Sequence, residues 1–454
     1  MTSFIRKDSP ACVKSELDLF LIPPTQTAIE KGQYVEYHPL SNIRDGGPVE
    51  FNISGTGEEY LDLSSSYIYV KVKIVKANAS ALTIKDYVSP VNLFLHALFS
   101  QVDVSLNERI ISASTNTYPY RAYIETLLNY GEDAKKSLLT CECFYKDTNL
   151  TEVNPLADKP NEGLKKRLEL IKGSKTLDLI GQLHCDIFQQ NRLLLNLVDV
   201  KIILQRSKAP FCLVSPEEKA DYNVILEHAS MFIRKVKVSP GVSLGHAKAL
   251  EKSTAKYPID RVLCKTYSVS QGSWSFLQDN VFLGVMPKRV IITCLSNAAM
   301  NGQYKSNPFV FHHYNVNFLS VYIDGHPIPG KPLELDFDSE NYIRAYHSLF
   351  SGFNRDRGIY LSRDDFSAGH ALYAFDLTPD LCNDSHLNLQ QQGNLRVELK
   401  FSKALTETIS VLIYAEFENV IEINKSRHNA KLAQNRINNN TGYNKNNLIK
   451  LVLI

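Results

Sequence analysis

At 454 residues, with 50 basic against 48 acidic side chains and a formal charge of +2, the chain carries no global basic field for nucleic acid or a membrane surface. The length allows two or three domains, and 23 Tyr and 21 Phe beside a single Trp favour pleated, half-buried surfaces, hence β structure. No stretch reaches the roughly 18 consecutive apolar residues of a membrane helix, and the start lacks a signal peptide's apolar core, so no membrane span and no secretion are expected.

Taken in chain order, residues 1–45 combine Pro23-Pro24, charges and the short apolar run from Leu17 to Ile22, too little to form a core, and read as an N-terminal arm. Residues 46–238 follow a period of two. Ile68, Val70, Val72 and Ile74 alternate with Tyr69, Lys71 and Lys73, and Val102, Val104 and Leu106 with Asp103 and Ser105, which places one strand face in a core and the other in water. Val198 to Leu204 and Met231 to Val238 add further strands. Helices interrupt this pattern: one from Tyr118, with Pro119 in its first turn and Gly131 as its stop, and one from Asn161 to Gly173. Ser239-Pro240 opens a connecting helix, residues 239–254.

Residues 255–423 repeat the style, with strands predicted at 289–295, 318–324, 333–337, 371–377, 395–401 and 409–417 and a helix capped by Ser339. After Glu422 there is no acidic residue, but there are six Lys or Arg and nine Asn, so residues 424–454 read as a basic Asn-rich tail. Such a tail could touch DNA phosphates, although only Tyr443 could stack on a base.

The two halves say similar things. A strand from Val102 to Ile110 leads to the helix from Tyr118, and a strand from Val321 to Ile328 leads to the helix from Ser339. Arg121-Ala122-Tyr123 recurs as Arg344-Ala345-Tyr346, and Ser207-Lys208-Ala209 after one strand recurs as Ser402-Lys403-Ala404 after another. Tyr120, Arg121, Tyr123, Glu125, Arg344 and Tyr346 are therefore the structural signature of two repeat helices. The fold class expected is all-β, as two tandem sandwiches or jelly rolls with a few inserted helices.

No motif for catalysis survives inspection, and no cofactor is implied. Gly325 to Lys331 fits the first positions of a phosphate loop, but Pro327 and Pro329 lack the amide donors that would cradle phosphate, and Pro332 replaces the magnesium-binding Ser or Thr; a hairpin turn is the better reading. Cys141 and Cys143 could be half of a metal site, but no partner pair is spaced for it, and buried thiols on a strand are expected instead. All eight cysteines, at 12, 141, 143, 185, 212, 264, 294 and 382, are expected to be mostly buried and reduced. His312 and His313 point to opposite faces of an extended segment and cannot chelate together. Asp336, Asp338 and Glu340 lack the calcium-loop glycine, and Asp338 reads as helix N-terminal charge. The charges at Arg355, Asp356, Arg357, Arg363, Asp364 and Asp365 balance, as in a solvated loop.

Four segments in order, Glu16 to Glu30, Tyr67 to Ile74, Pro90 to Asn107 and Tyr118 to Gly131, resemble the major capsid protein of Polinton (Maverick) elements and adintovirus-like DNA viruses, including copies integrated in animal genomes. The resemblance implies a double jelly roll of two eight-stranded sandwiches, and a structural virion protein without enzymatic activity. It implies a homotrimer of pseudo-hexagonal outline that tiles an icosahedral shell beside other capsid proteins such as a penton, with the arm tying neighbouring capsomers or facing the interior. The rival reading is a cellular β-sandwich protein that binds a ligand such as a carbohydrate; a polysaccharide hydrolase, which needs facing carboxylates, stands behind it.

Overall fold

The computed structural model describes residues 14–20, 22–55, 57–351, 358–380 and 386–427. Sixteen main strands and four longer helices organise them. In the first half these are β1 (Ile29–Tyr37), β2 (Val49–Ile53), β3 (Glu59–Lys76), β4 (Phe99–Leu106), β5 (Arg109–Ile110), β6 (Leu177–Gly181), β7 (Val200–Arg206) and β8 (Tyr222–Val238). Helices α1 (Tyr118–Asn129) and α2 (Glu162–Ile171) lie between β5 and β6, and α3 (Pro240–Lys252) follows β8. In the second half come β9 (Ala255–Val269), β10 (Ser275–Val285), β11 (Arg289–Ser296), β12 (Val316–Ile323) and β13 (His326–Glu334). Then follow α4 (Ile343–Ser351), β14 (Tyr373–Asp376), β15 (Gln392–Phe401) and β16 (Ile409–Ile423).

Each half forms two four-stranded sheets in the same order. The first half pairs β1-β8-β3-β6 and β2-β7-β4-β5; the second pairs β9-β16-β11-β14 and β10-β15-β12-β13. Every pairing within these sheets is antiparallel. The first and last strands of a half are neighbours, and successive strands mostly change sheet, so each half is a sandwich wound as a jelly roll. The alternation expected from the sequence sets the faces: Ile68, Val70, Val72 and Ile74 are buried, as are Val200, Ile202 and Leu204, while Lys71 and Lys201 face water.

The duplication extends to single hydrogen bonds. Asn107-Glu108 and Asp324-Gly325 are the two-residue turns of equivalent hairpins, and all four residues have positive φ, as a turn matched to strand twist requires. The Asn107 side chain accepts from the Asp199 amide at 2.8 Å, and the Asp324 side chain accepts from the Asn394 amide at 2.8 Å. Where the following strands end, the Ser207 amide donates to Leu98 O and the Ser402 amide to Asn315 O, both at 2.9 Å. The Ser-Lys-Ala correspondence thus marks the same point of each sandwich.

Several local expectations differ from the structure. Ile29–Tyr37, inside the expected arm, is a strand registered on β8 from Ile29↔Val238 to Tyr37↔Met231, because the long β8 offers it a free edge that composition does not reveal. The run Gly325 to Lys331 is mostly strand β13, and its turn lies one residue earlier, at Asp324-Gly325. Cys141 and Cys143 sit at the end of a 3-10 turn, Leu138–Glu142, with Cys141 exposed and Cys143 buried. Gly131 does not end α1 in a left-handed cap; its φ is −77° and it starts the next short helix. Ser339 does not cap α4, whose first residue is Ile343, because Asp336 and Asn341 form a bridge that delays the helix. Asp338 pairs instead with Lys403 at 2.7 Å. Gly352, Arg355 to Arg357, Cys12, Cys382 and the tail beyond Arg427 lie outside the described residues.

Candidate functional site

The residues singled out by the repeat fall into two unlike environments. Helix α1 carries Pro119 in its first turn, where the missing amide costs nothing, and its residues from Tyr118 to Leu128, apart from Arg121, are buried. A helix buried nearly all round needs partners on every side. Tyr120 lies edge-on to Phe211 and Phe309, each at 5.9 Å. Tyr123 stacks on Phe309 at 4.5 Å and shares a 3.3 Å hydrogen bond with His370 Nε2. Phe309 and His370 belong to the second half, so α1 is wedged into the seam between the sandwiches.

The same helix also anchors a buried ionic chain. Arg121 reaches Glu125 Oε1 at 2.7 Å and Asp186 Oδ1 at 2.6 Å. Glu125 Oε2 holds His184 Nδ1 and accepts from Gln189 Nε2, both at 2.6 Å. From the second half, Tyr414 Oη shares its one proton between Glu125, at 3.3 Å, and Glu416, at 3.0 Å, and Arg289 pairs with Glu416 at 2.9 Å. The Val262 amide donates to Asp186 at 3.3 Å. Burial by itself would raise the Glu125 carboxyl, but the Arg121 charge and the His184 bond outweigh it and hold the group at about 2. A second bridge joins Lys146 to Asp365 at 2.7 Å, with the ammonium 4.3 Å from the Tyr360 ring centre.

Arg344 and Tyr346, which share the tripeptide, do none of this. Arg344 donates to the Pro332 and Lys331 carbonyls at 3.1 and 3.2 Å on an exposed face. Tyr346 donates to Leu361 O at 2.9 Å and meets Phe350 and Phe366, so α4 packs on its own sandwich. Sequence reasoning missed His184, Asp186, Gln189, His370, Tyr414 and Glu416, which arrive from separate loops and strands. No spacing rule links them to α1.

A polar cleft of about 910 Å³ opens beside this seam, lined by Glu125, Glu142 and His184 from one half and by Asp260, Lys288 and Glu418 from the other. Among the described residues, two groups bring metal-ligating atoms together: the exposed to half-buried Glu36, His38 and His228, and the buried His96, Glu142 and His184. No helix among the described residues is long and apolar enough to cross a membrane.

No family model matches the chain. An uncharacterised Caenorhabditis elegans protein is 24% identical over 429 residues, covering 90% of this chain and 98% of that protein. Among solved structures, one from the cryo-EM structure of the Sputnik virophage superposes with a TM-score of 0.65 at 13% identity, covering 97% of this chain and 98% of that one. A chain of the PBCV-1 virus capsid superposes at 0.54 and 12% identity, covering 92% of this chain and all of that one. The mavirus major capsid protein superposes at 0.51 and 11% identity, with 94% and 95% covered. Like these viral proteins, the chain is a double jelly roll.

Proposed function

We propose that this chain is a major capsid protein, a structural component of a virion that assembles with copies of itself. The observation that carries the reading is the duplicated sheet order, β1-β8-β3-β6 with β2-β7-β4-β5 and its copy eight strands later, over almost the whole length shared with solved viral capsid chains. Two like sandwiches fixed side by side give one chain two similar outer flanks. Three such chains present six, and a closed ring of six similar flanks tiles a shell. Interfaces of roughly 2,000–5,000 Å² in obligate assemblies stabilise such particles without an active site.

The arm fits the same reading. Leu17, Leu19, Phe20 and Ile22 are 68 to 94% exposed, and an apolar segment of this kind gains by covering a neighbouring copy. Other capsid proteins, such as a penton at the five-fold vertices, would complete the shell. Synthesis inside the host cell fits the six described cysteines, all of them free thiols. The basic residues of the tail, 424–454, supply the proposed contact with DNA; if a chain ending at 423 retains DNA with unchanged salt dependence, that contact is dropped.

Negative-stain microscopy of the purified full chain is the test. Pseudo-hexagonal trimers or shells support the reading, and featureless monomers at micromolar concentration overturn it. Deleting residues 1–27 spares strand β1 and should leave trimers that do not close into shells.

A further inference from the structure

We propose that His96, Glu142 and His184 form a zinc-class divalent metal site that pins three separate segments of the first sandwich together. This goes beyond the capsid reading and does not rest on it. His96 lies in a short helix, Phe94–Ala97, Glu142 ends the 3-10 turn Leu138–Glu142, and His184 lies in the loop after β6. They are 1, 7 and 6% exposed, and one ligand atom of each lies within 4.8 Å of the other two. Two imidazoles and a carboxylate are the donor set of three-ligand zinc sites that leave a fourth position open. Glu142 and His184 line the 910 Å³ cleft, which gives an ion a way in.

Three further observations point to an ion. First, Glu142 is a buried carboxylate that has no Lys or Arg partner among the described residues, where its hydrogen-bond partner is His96 Nε2, at 3.2 Å. Buried carboxylates are ordinarily paired with a cation or bound to a metal. Second, 3.2 Å is long for a charge-assisted hydrogen bond, whereas the edge of a tetrahedron with zinc bonds of 2.0–2.1 Å is about 3.3 Å. Third, the far ring nitrogens are held as they are in metal-bound histidines. His184 Nδ1 is bonded to Glu125 at 2.6 Å, and His96 Nδ1 to Tyr118 Oη at 2.8 Å. A carboxylate or other polar group behind each imidazole fixes the tautomer that presents its other nitrogen. His184 Nε2 has no hydrogen-bond partner among the described residues and is the nitrogen left for the ion.

In the ion-free state His96 Nε2–H donates to Glu142 and Nδ1 accepts from Tyr118. With an ion on Nε2, the proton resides on Nδ1 and is donated to Tyr118 Oη, which also accepts from the His184 amide at 3.3 Å. The bound ion would join the loop after β6 to the turn before α2, directly behind the Glu125 end of the seam.

The experiment uses the full-length protein, stripped with a chelator, dialysed and then titrated with Zn²⁺ or with Co²⁺ as a coloured probe. The expected results are one equivalent bound, the visible absorption of a four-coordinate Co²⁺ site with nitrogen and oxygen ligands, and a higher melting temperature. At a free Zn²⁺ concentration of 100 Kd the folding equilibrium should shift about 100-fold. Glu142→Gln and His184→Gln should keep the fold by circular dichroism and lose the Co²⁺ spectrum, while His228→Gln at the exposed group keeps it. Absence of saturable binding by the wild-type chain overturns the proposal, and so does an unchanged Co²⁺ spectrum in both buried variants. Because the wild-type titration needs no variant to fold, and assembly is read separately by microscopy, the site and the capsid reading fail independently.

Discussion

Replacing Tyr123 by alanine asks whether α1 locks the two sandwiches into one body. Tyr123 is 1% exposed, stacked on Phe309 at 4.5 Å and hydrogen-bonded to His370 at 3.3 Å. Removing a buried aromatic ring costs about 3–5 kcal/mol in transfer and cavity terms. The hydroxyl adds to this, because His370 Nδ1 already lacks a partner among the described residues and Nε2 would join it, at about 1–3 kcal/mol for a newly orphaned buried group. Partial collapse of the cavity offsets some of that sum, so the expected loss is about 4–6 kcal/mol, a large share of the roughly 5–15 kcal/mol that stabilises a typical protein. Tyr123→Phe should cost only about 1–2 kcal/mol. The counterpart Tyr346→Ala, at a half-buried position off the seam, should also cost about 1–2 kcal/mol. Urea unfolding should be followed by Trp274 fluorescence, which reports the second sandwich, and by far-ultraviolet circular dichroism, which reports both. In the wild type the two curves coincide, and in Tyr123→Ala they separate as the halves uncouple. If Tyr123→Ala stays within about 1 kcal/mol of wild type, or matches Tyr346→Ala with coincident curves, α1 is not the lock.

Two further predictions follow from buried charge. Arg167 and Asp147 pair at 2.9 Å with side chains 1% exposed, and the guanidinium also donates to the Pro90 and Tyr145 carbonyls, so Arg167→Ala should lose about 3–5 kcal/mol in urea unfolding. Lysine at 167 should recover little of it, because an ammonium cannot fill three directions held by a planar fork. Burial pushes His370 down from 6.5 to about 4 against the opposing pull of Asp365 and Asp147, while Lys135 adds to the depression and Tyr123 is its hydrogen-bond partner. The unfolded chain therefore takes up this proton first on acidification. The stabilisation is complete above pH 6.5 and is lost as pH falls toward 4, by about 3 kcal/mol at 1.36 kcal/mol per unit. His370→Gln should flatten the stability profile between pH 6.5 and 4; an unchanged slope there would show that His370 titrates normally.

The strands were largely legible because their signal is local. An alternating run such as Ile68 to Ile74 needs only a core on one side to become a strand, and the Asn161 cap, accepting from the Leu164 amide at 3.3 Å, needs only its own turn. The repeat was legible for the same reason, since Ser207 and Ser402 end equivalent strands and each donates its amide to the residue before the neighbouring strand. β1 was not legible, because Ile29–Tyr37 has no buried face and is held by backbone pairing to a strand some two hundred residues away in the chain.

By itself the amino-acid sequence determined a β-rich chain built twice and the connecting helix at 240–252. Only the tertiary structure decided that Arg121-Ala122-Tyr123 enters the seam between the sandwiches while Arg344-Ala345-Tyr346 packs on its own sandwich. It also decided that His184, Asp186, Tyr414 and Glu416 converge on Glu125. The physical reason is range: strand period and helix caps are set by neighbours a few residues apart. The worth of a buried charge is set by whichever distant segments the two sandwiches press against it.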